Sequence, residues 1–212
     1  MIPRIATHLP RLAGRFFPDL LSRIQTDERV VYLTFDDGPT DTLTAPLLDL
    51  LARFEAQATF FMIGEHAARH PDLVRATLQA GHTIGNHTYT HPDAWHTAPA
   101  RILSELEKTT VLLEDLIQQP LRWMRPPYGR LTETMRHWCK VRRQRLTLWD
   151  VMPGDFLPGK TTKQLECFLL KHIRPGSIVV LHDNPKAGTM PEALQTVLST
   201  LSQEGWRFAS LA

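Results

Sequence analysis

From residue 30 to residue 211 the chain alternates short β-branched or aromatic runs with longer stretches of helical period. "VVYLTF" (30–35), "ATFFMIG" (58–64), "HTIGNH" (82–87), "LRWMRPPYG" (121–129), "RLTLWD" (145–150), "SIVVLHD" (177–183) and "WRFASL" (206–211) predict strands. Between them, apolar residues recur three or four positions apart over 44–56, 70–81, 98–117, 161–173 and 191–205, the mark of amphipathic helices. Gly81 closes the second of these helices, and Pro175 with Gly176 stops the fourth. Such alternation predicts parallel strands joined by crossover helices, in a barrel or a doubly wound sheet.

Polar residues fall at the ends of these strands. Asp36 and Asp37 end the first, His87 the third, Arg125 the fourth, Asp150 the fifth, and His182 with Asp183 the sixth. Parallel strands all finish at one face, so these side chains are expected to converge there, where α/β folds keep their active sites. His87 and His91 stand four residues apart, and on a helical turn both imidazoles point the same way. Two imidazoles and one carboxylate, with positions left for water and substrate, make a catalytic zinc arrangement. A cation there would offset the repulsion between Asp36 and Asp37, one binding it and the other acting as base for the attacking water.

Composition narrows the class. The 212 residues are enough for one domain with a sizeable core, placed at 30–212 after an N-terminal extension, 1–29. Hydrophobic residues make up 42% and charged residues 22%, ordinary for a globular protein, and a net charge of +2 gives no basis for nucleic-acid binding. The basic run "KVRRQR" (140–145) is read as a solvated edge. Cys139 and Cys167 are too few for a disulfide framework and are read as apolar residues. No apolar run reaches the length of a membrane span. Arginines and prolines interrupt the first 20 residues, which lack the apolar core of a secretory signal. These residues are expected to pack on the domain, with peripheral membrane contact through 1–20 (Leu9, Leu12, Phe16 and Phe17 facing lipid) as the alternative. The expected location is therefore cytoplasmic or peripheral to a membrane, in a bacterial type of cell.

Five segments, "TFDDGPT" (34–40), "HTYTH" (87–91), "RPPYG" (125–129), "WDVMPGDF" (149–156) and "VVLHD" (179–183), occur in register. With them the chain closely resembles the polysaccharide deacetylases of carbohydrate esterase family 4, the NodB-homology group that includes chitin and peptidoglycan deacetylases. The resemblance implies a distorted (β/α) barrel of about seven parallel strands. It implies a divalent metal, zinc in the first instance and cobalt, manganese or nickel otherwise, on Asp37, His87 and His91. It makes Asp36 the base, held by Arg125, and His182 the acid, oriented by Asp155, with Asp150 competing for that role. The Tyr128 N–H would stabilise the oxyanion, Leu181 would line a pocket for the acetyl methyl, and Phe156 would pack on His182.

Met152 and Phe156 depart from the family's usual aspartate and tryptophan in the fourth motif. Trp95, Trp123 and Trp149 are candidates for stacking on sugars, although Trp123 and Trp149 fall in strands and are read as core. The implied activity is metal-dependent removal of N-linked acetyl groups from an amino-sugar polymer or oligosaccharide, the acetylated glycan being the partner. O-deacetylation, as in the family's xylan esterases, uses the same residues and is the alternative. A barrel that only binds glycans is a third reading, and the complete set of ligands and base argues against it.

Overall fold

The structure is a computed structural model and describes residues 20–212. Leu9, Leu12, Phe16 and Phe17, on which the membrane-contact reading rests, lie outside the described residues. In chain order the elements are β1 (Leu20–Leu21), β2 (Val30–Asp36), α1 (Thr44–Arg53), β3 (Thr59–Met62), α2 (Gly64–Arg69), α3 (Pro71–Gln79), β4 (Thr83–Asn86) and α4 (Pro99–Ile117). There follow β5 (Trp123–Met124), α5 (Glu133–Arg142), β6 (Arg145–Thr147), α6 (Thr162–His172), β7 (Ile178–His182), α7 (Met190–Gln203) and β8 (Arg207–Ala209).

The strands form one sheet in the order β1-β6-β5-β4-β3-β2-β7, with β8 also on β2, and every ladder is parallel. Two isolated bridges close the circuit, Val151 with Val179 and Arg23 with Ser177. The architecture is the distorted α/β barrel expected. Its sheet begins before residue 30, because Leu20 and Leu21 pair with Leu146 and Thr147.

The central strands are buried on both faces, which is why they read as continuous apolar runs rather than as alternating ones. Alternation reappears in which layer each residue joins. Val31, Leu33, Phe35, Val179 and Leu181 pack in the layer beneath α1 and α7, with Leu47, Leu51, Leu194 and Leu198. Tyr32, Phe61, Ile178 and Val180 belong to the other cluster, with Trp123, Leu148 and Trp149. Thr34 and Asp36 therefore share the face of Tyr32, and His182 shares that of Val180. Trp123 and Trp149 are core.

Two helices were not anticipated. Residues 64–69 continue as α2 directly after β3, and His70 and Pro71 restart the chain as α3. Helix α5 lies where no element was expected. The Thr132 side chain caps it by accepting from the Met135 N–H, and Arg143 ends it in a left-handed conformation. Its buried residues, Met135, Trp138 and Cys139, stand among charged ones, so the apolar stripe is too thin to read. The basic run at its end is solvated or paired. Arg142 reaches Glu107 and Glu114 at 3.6 and 3.4 Å, and Arg145 lies over Trp123 at 4.5 Å.

Gly176 joins the two ends of this closure. Its φ is +78°, and a Cβ there would stand 1.8 Å from the Ile24 carbonyl oxygen, whose residue donates its N–H to the Gly176 carbonyl at 2.9 Å. Gly205 has the same φ of +78° with nothing within 4 Å of such a Cβ. Gly205→Ala is therefore expected to cost only the left-handed strain of roughly 1 kcal/mol, and Gly176→Ala clearly more. Thermal unfolding of the two variants checks this, and equal losses would contradict it.

Candidate active site

The DD-Gly-Pro stretch leaves β2 at the rim of the barrel. Asp36 is the last residue of the strand, in register with Phe61 of β3 and His182 of β7. Its carboxylate is buried, and two adjacent like charges in such a place need separate compensation. For Asp36 the compensation is Arg125, fully buried at the end of β5, whose Nη1 donates to Asp36 Oδ1 at 2.7 Å. The same Nη1 donates to Thr34 Oγ1 at 2.7 Å, and Nη2 to the Leu148 carbonyl at 2.8 Å. The guanidinium sits over the Phe61 ring at 4.3 Å and near the Trp149 ring at 5.7 Å, so it is fixed in direction. Burial lowers the Arg125 pKa, and the charge of Asp36 opposes that shift.

Asp37 follows in a left-handed conformation, φ 79°, which turns its side chain away from its neighbour's partner. Oδ2 accepts from the Asn184 side chain at 2.7 Å, and the Asp37 carbonyl accepts from His66 Nδ1 at 2.7 Å. Oδ1 is different. It is a buried carboxylate oxygen with no hydrogen-bond partner among the described residues. It faces His91 Nε2 at 3.4 Å and His87 Nε2 at 3.6 Å.

His87 donates through Nδ1 to the Arg125 carbonyl at 2.8 Å, which leaves the Nε2 lone pair free. Burial, then the neighbouring His91, push its pKa down to about 3, so it is a neutral imidazole at any physiological pH. Burial also lowers the pKa of His91, against the pull of Asp37 and Asp36. One donor atom from each of Asp37, His87 and His91 lies within 4.8 Å of the others. An orphaned carboxylate oxygen beside two neutral imidazoles is the donor set of a small divalent cation, and the residues present fit one.

The two histidines are not on a helical turn as the spacing suggested. Thr88 and His91 both have positive φ, 66° and 55°, in a loop held from below. Glu105 of α4 accepts from the Tyr89 and Thr90 N–H groups at 3.0 and 2.6 Å and from the Thr90 hydroxyl at 2.8 Å. Asn86 accepts from the Thr88 N–H at 2.7 Å. The Glu105 bonds and the local Asn86 turn, not a helix, bring the imidazoles together.

Across the rim, His182 donates through Nδ1 to Asp155 Oδ1 at 2.9 Å, while Asp155 Oδ2 accepts the His182 backbone N–H at 2.7 Å. Burial alone would depress the His182 pKa. Asp155, by charge and hydrogen bond, with help from Asp36 and Asp37, more than offsets it and raises the value to about 9. The Phe156 ring packs edge-on against His182 at 4.5 Å. Tyr128, in a left-handed conformation with φ 57°, sets its ring 4.6 Å from that of His91.

Three expectations need correction or sorting. Asp150 does not reach this rim. The chain after β6 runs alongside the start of β7, where Asp150 accepts from Ser177 Oγ at 3.1 Å and the Ile178 N–H at 2.9 Å, four positions before His182. Asp155 alone of the two touches His182. Leu181 is buried in the layer under the helices, because successive residues of β7 face opposite ways; the neighbour sharing the His182 face is Val180. Asp183 supports the site from behind, accepting from Thr40 and Thr44 hydroxyls at 3.0 and 2.6 Å, and burial raises its pKa to about 6. It fills the place of the Cβ that Gly38 lacks, 2.3 Å from Asp183 Oδ2. Asn184, His66 and Glu105 were missed; only Asn184, directly after the "VVLHD" segment, stood where a reader could look.

The family described as polysaccharide deacetylase matches residues 23–142, more than half of the chain. A peptidoglycan-N-acetylglucosamine deacetylase of Bacillus cereus is 34% identical over 194 residues, 89% of each chain. A chitooligosaccharide deacetylase of a Bradyrhizobium species is 38% identical over 162 residues, 76% of this chain and 73% of that one. Among solved structures, a peptidoglycan N-acetylglucosamine deacetylase in complex with a substituted N-oxidanyl-benzamide superposes with a TM-score of 0.87 at 30% identity, covering 91% of both chains.

Replacing Glu105 by alanine frees the loop between His87 and His91 without touching either imidazole. It is expected to weaken divalent-cation binding by roughly 10–100-fold, the usual effect of losing a group that orients the ligands. Calorimetric titration of the apoprotein with zinc measures this, and unchanged affinity in a folded variant would contradict it.

Proposed function

The chain belongs to the polysaccharide deacetylase family, and on that premise we propose that it removes N-linked acetyl groups from an amino-sugar polysaccharide or oligosaccharide, peptidoglycan- or chitin-like. The observation that carries this reading is Oδ1 of Asp37, without a hydrogen-bond partner among the described residues, facing two imidazole nitrogens, with the Asp36 carboxylate 3.8 Å from one of them. The names of the relatives support the choice of substrate class.

Asp37, His87 and His91 would hold a divalent cation, zinc by the nature of the donors. When bound, such an ion makes water acidic enough to be deprotonated near neutrality and polarises a carbonyl. Asp36 takes the proton of the attacking water. Its Oδ2 lies 3.8 Å from His87 Nε2, at the donor cluster, while Arg125 occupies Oδ1 and keeps the carboxylate aimed. Water oxygen adds to the amide carbon, and the backbone N–H of Tyr128 stabilises the charge that develops on the carbonyl oxygen. The C–N bond then breaks, acetate departs, and His182 gives its proton to the leaving nitrogen.

His182 suits amide more than ester cleavage. An amine leaves only when protonated, and Asp155 keeps His182 charged across neutral pH, its pKa raised to about 9. Phe156 confines the ring in that position.

Acetate release from N-acetylglucosamine oligomers, peptidoglycan and acetylated xylan tests the proposal on protein of known metal content. Release from the first two, abolished by a chelator and restored by zinc, is expected; release from xylan alone would move the reading to an esterase, and none from any would refute it. Asp36→Asn and His182→Ala are each expected to lower kcat by ~10²–10⁴-fold with cation binding retained. Because Asp155 raises the His182 pKa and the acid must be protonated to act, Asp155→Asn is expected to move the decline of activity at high pH to lower pH. A pH profile of kcat that keeps its upper limb in place would count against this role.

A further inference from the structure

Trp95 is the most exposed large aromatic beside the site, with 64% of its surface accessible, and Tyr128 follows at 61%. Scattered exposed apolar residues are ordinary, but this indole is held still. Its Nε1–H donates to the Leu131 carbonyl at 3.2 Å, and its backbone N–H donates to Asp93 Oδ1 at 3.1 Å. The Arg130 guanidinium lies over the indole at 5.1 Å and over the Tyr128 ring at 5.6 Å, and Asp93 pairs with Arg130. Tyr128 in turn touches the His91 ring at 4.6 Å. A row of flat groups thus leads outward from the donor cluster, with its one cation neutralised and the indole's polar atom already satisfied.

We infer that Trp95 and Tyr128, spaced by Arg130, form a platform for a neutral pyranose unit flanking the sugar that is deacetylated. A hexopyranose offers an apolar face of C–H groups, which pairs with the negative face of an aromatic ring. A rigid indole binds such a face without first losing conformational freedom. Pairing with Asp93 removes the attraction Arg130 would have for an anion, so the unit is an uncharged sugar. The platform makes the protein prefer chains over single sugars, and it rests on the deacetylase reading given above.

The test compares the wild type with Trp95→Ala, Trp95→Leu and Trp95→Phe, each checked for melting temperature and zinc content. Substrates are N-acetylglucosamine itself and its pentasaccharide, and the readout is the ratio of their kcat/KM values. Both non-aromatic variants are expected to lose the preference for the pentasaccharide by roughly tenfold, with Trp95→Phe keeping most of it. Trp95→Leu fills the same space without a flat face, so it decides the matter if the alanine variant is unstable. An unchanged ratio in the leucine variant overturns the platform. If the wild type releases acetate from neither sugar, the deacetylase reading fails separately. Calorimetric binding of the pentasaccharide then decides the platform: weaker binding by Trp95→Leu supports it, and equal or absent binding in both proteins overturns it.

Discussion

Two adjacent carboxylates emerging from the central strand of a barrel are the constraint that the site is built to meet. Unit charges 4 Å apart repel by about 4 kcal/mol at the effective dielectric of a protein surface, and more deeper inside. A turn of the backbone to positive φ at Asp37 separates the two problems. Asp36 is met by a guanidinium that is itself fully buried and fixed by Thr34, Leu148 and two aromatic rings. Asp37 is met halfway, with Asn184 on one oxygen and no hydrogen-bond partner among the described residues on the other. That asymmetry, together with two imidazoles kept neutral, suits the rim to a cation better than to a salt-bridge network.

Strand register supplies the rest. Asp36 pairs with His182 across the β2–β7 ladder, so the proposed base and acid are brought side by side by backbone hydrogen bonds alone. A slip of one residue in β7 would turn His182 into the helical layer and present Leu181 in its place. The buried alternation of Ile178, Val179, Val180 and Leu181 between two apolar clusters holds the register against such a slip. Asp150 adds to this from the far end of β7 by accepting the Ile178 N–H and the Ser177 hydroxyl.

Much of this was readable in advance. Strand ends were marked by abrupt changes from apolar to acidic or histidine residues, so the meeting of Asp36, Asp37, His87, Arg125 and His182 followed from parallel topology. The shape of the loop carrying the two histidines did not, since it depends on Glu105, which is 14 residues beyond His91 and looks like any acid on a helix. Helix α5 hid behind its arginines. Leu181 came from the resemblance, whereas the period of two in "SIVVLHD" already put Val180 on the face of His182. Asp150 and Asp155 could not be separated without knowing that the chain folds back along β7 before it reaches the rim.

The whole scheme turns on Oδ1 of Asp37 having a cation to face. Crystals grown with zinc and measured on both sides of the zinc absorption edge test it directly. An anomalous peak within about 2.0–2.3 Å of Asp37 Oδ1, His87 Nε2 and His91 Nε2 is the predicted result. Density showing the three side chains pointing apart, or the peak on other residues, would contradict it.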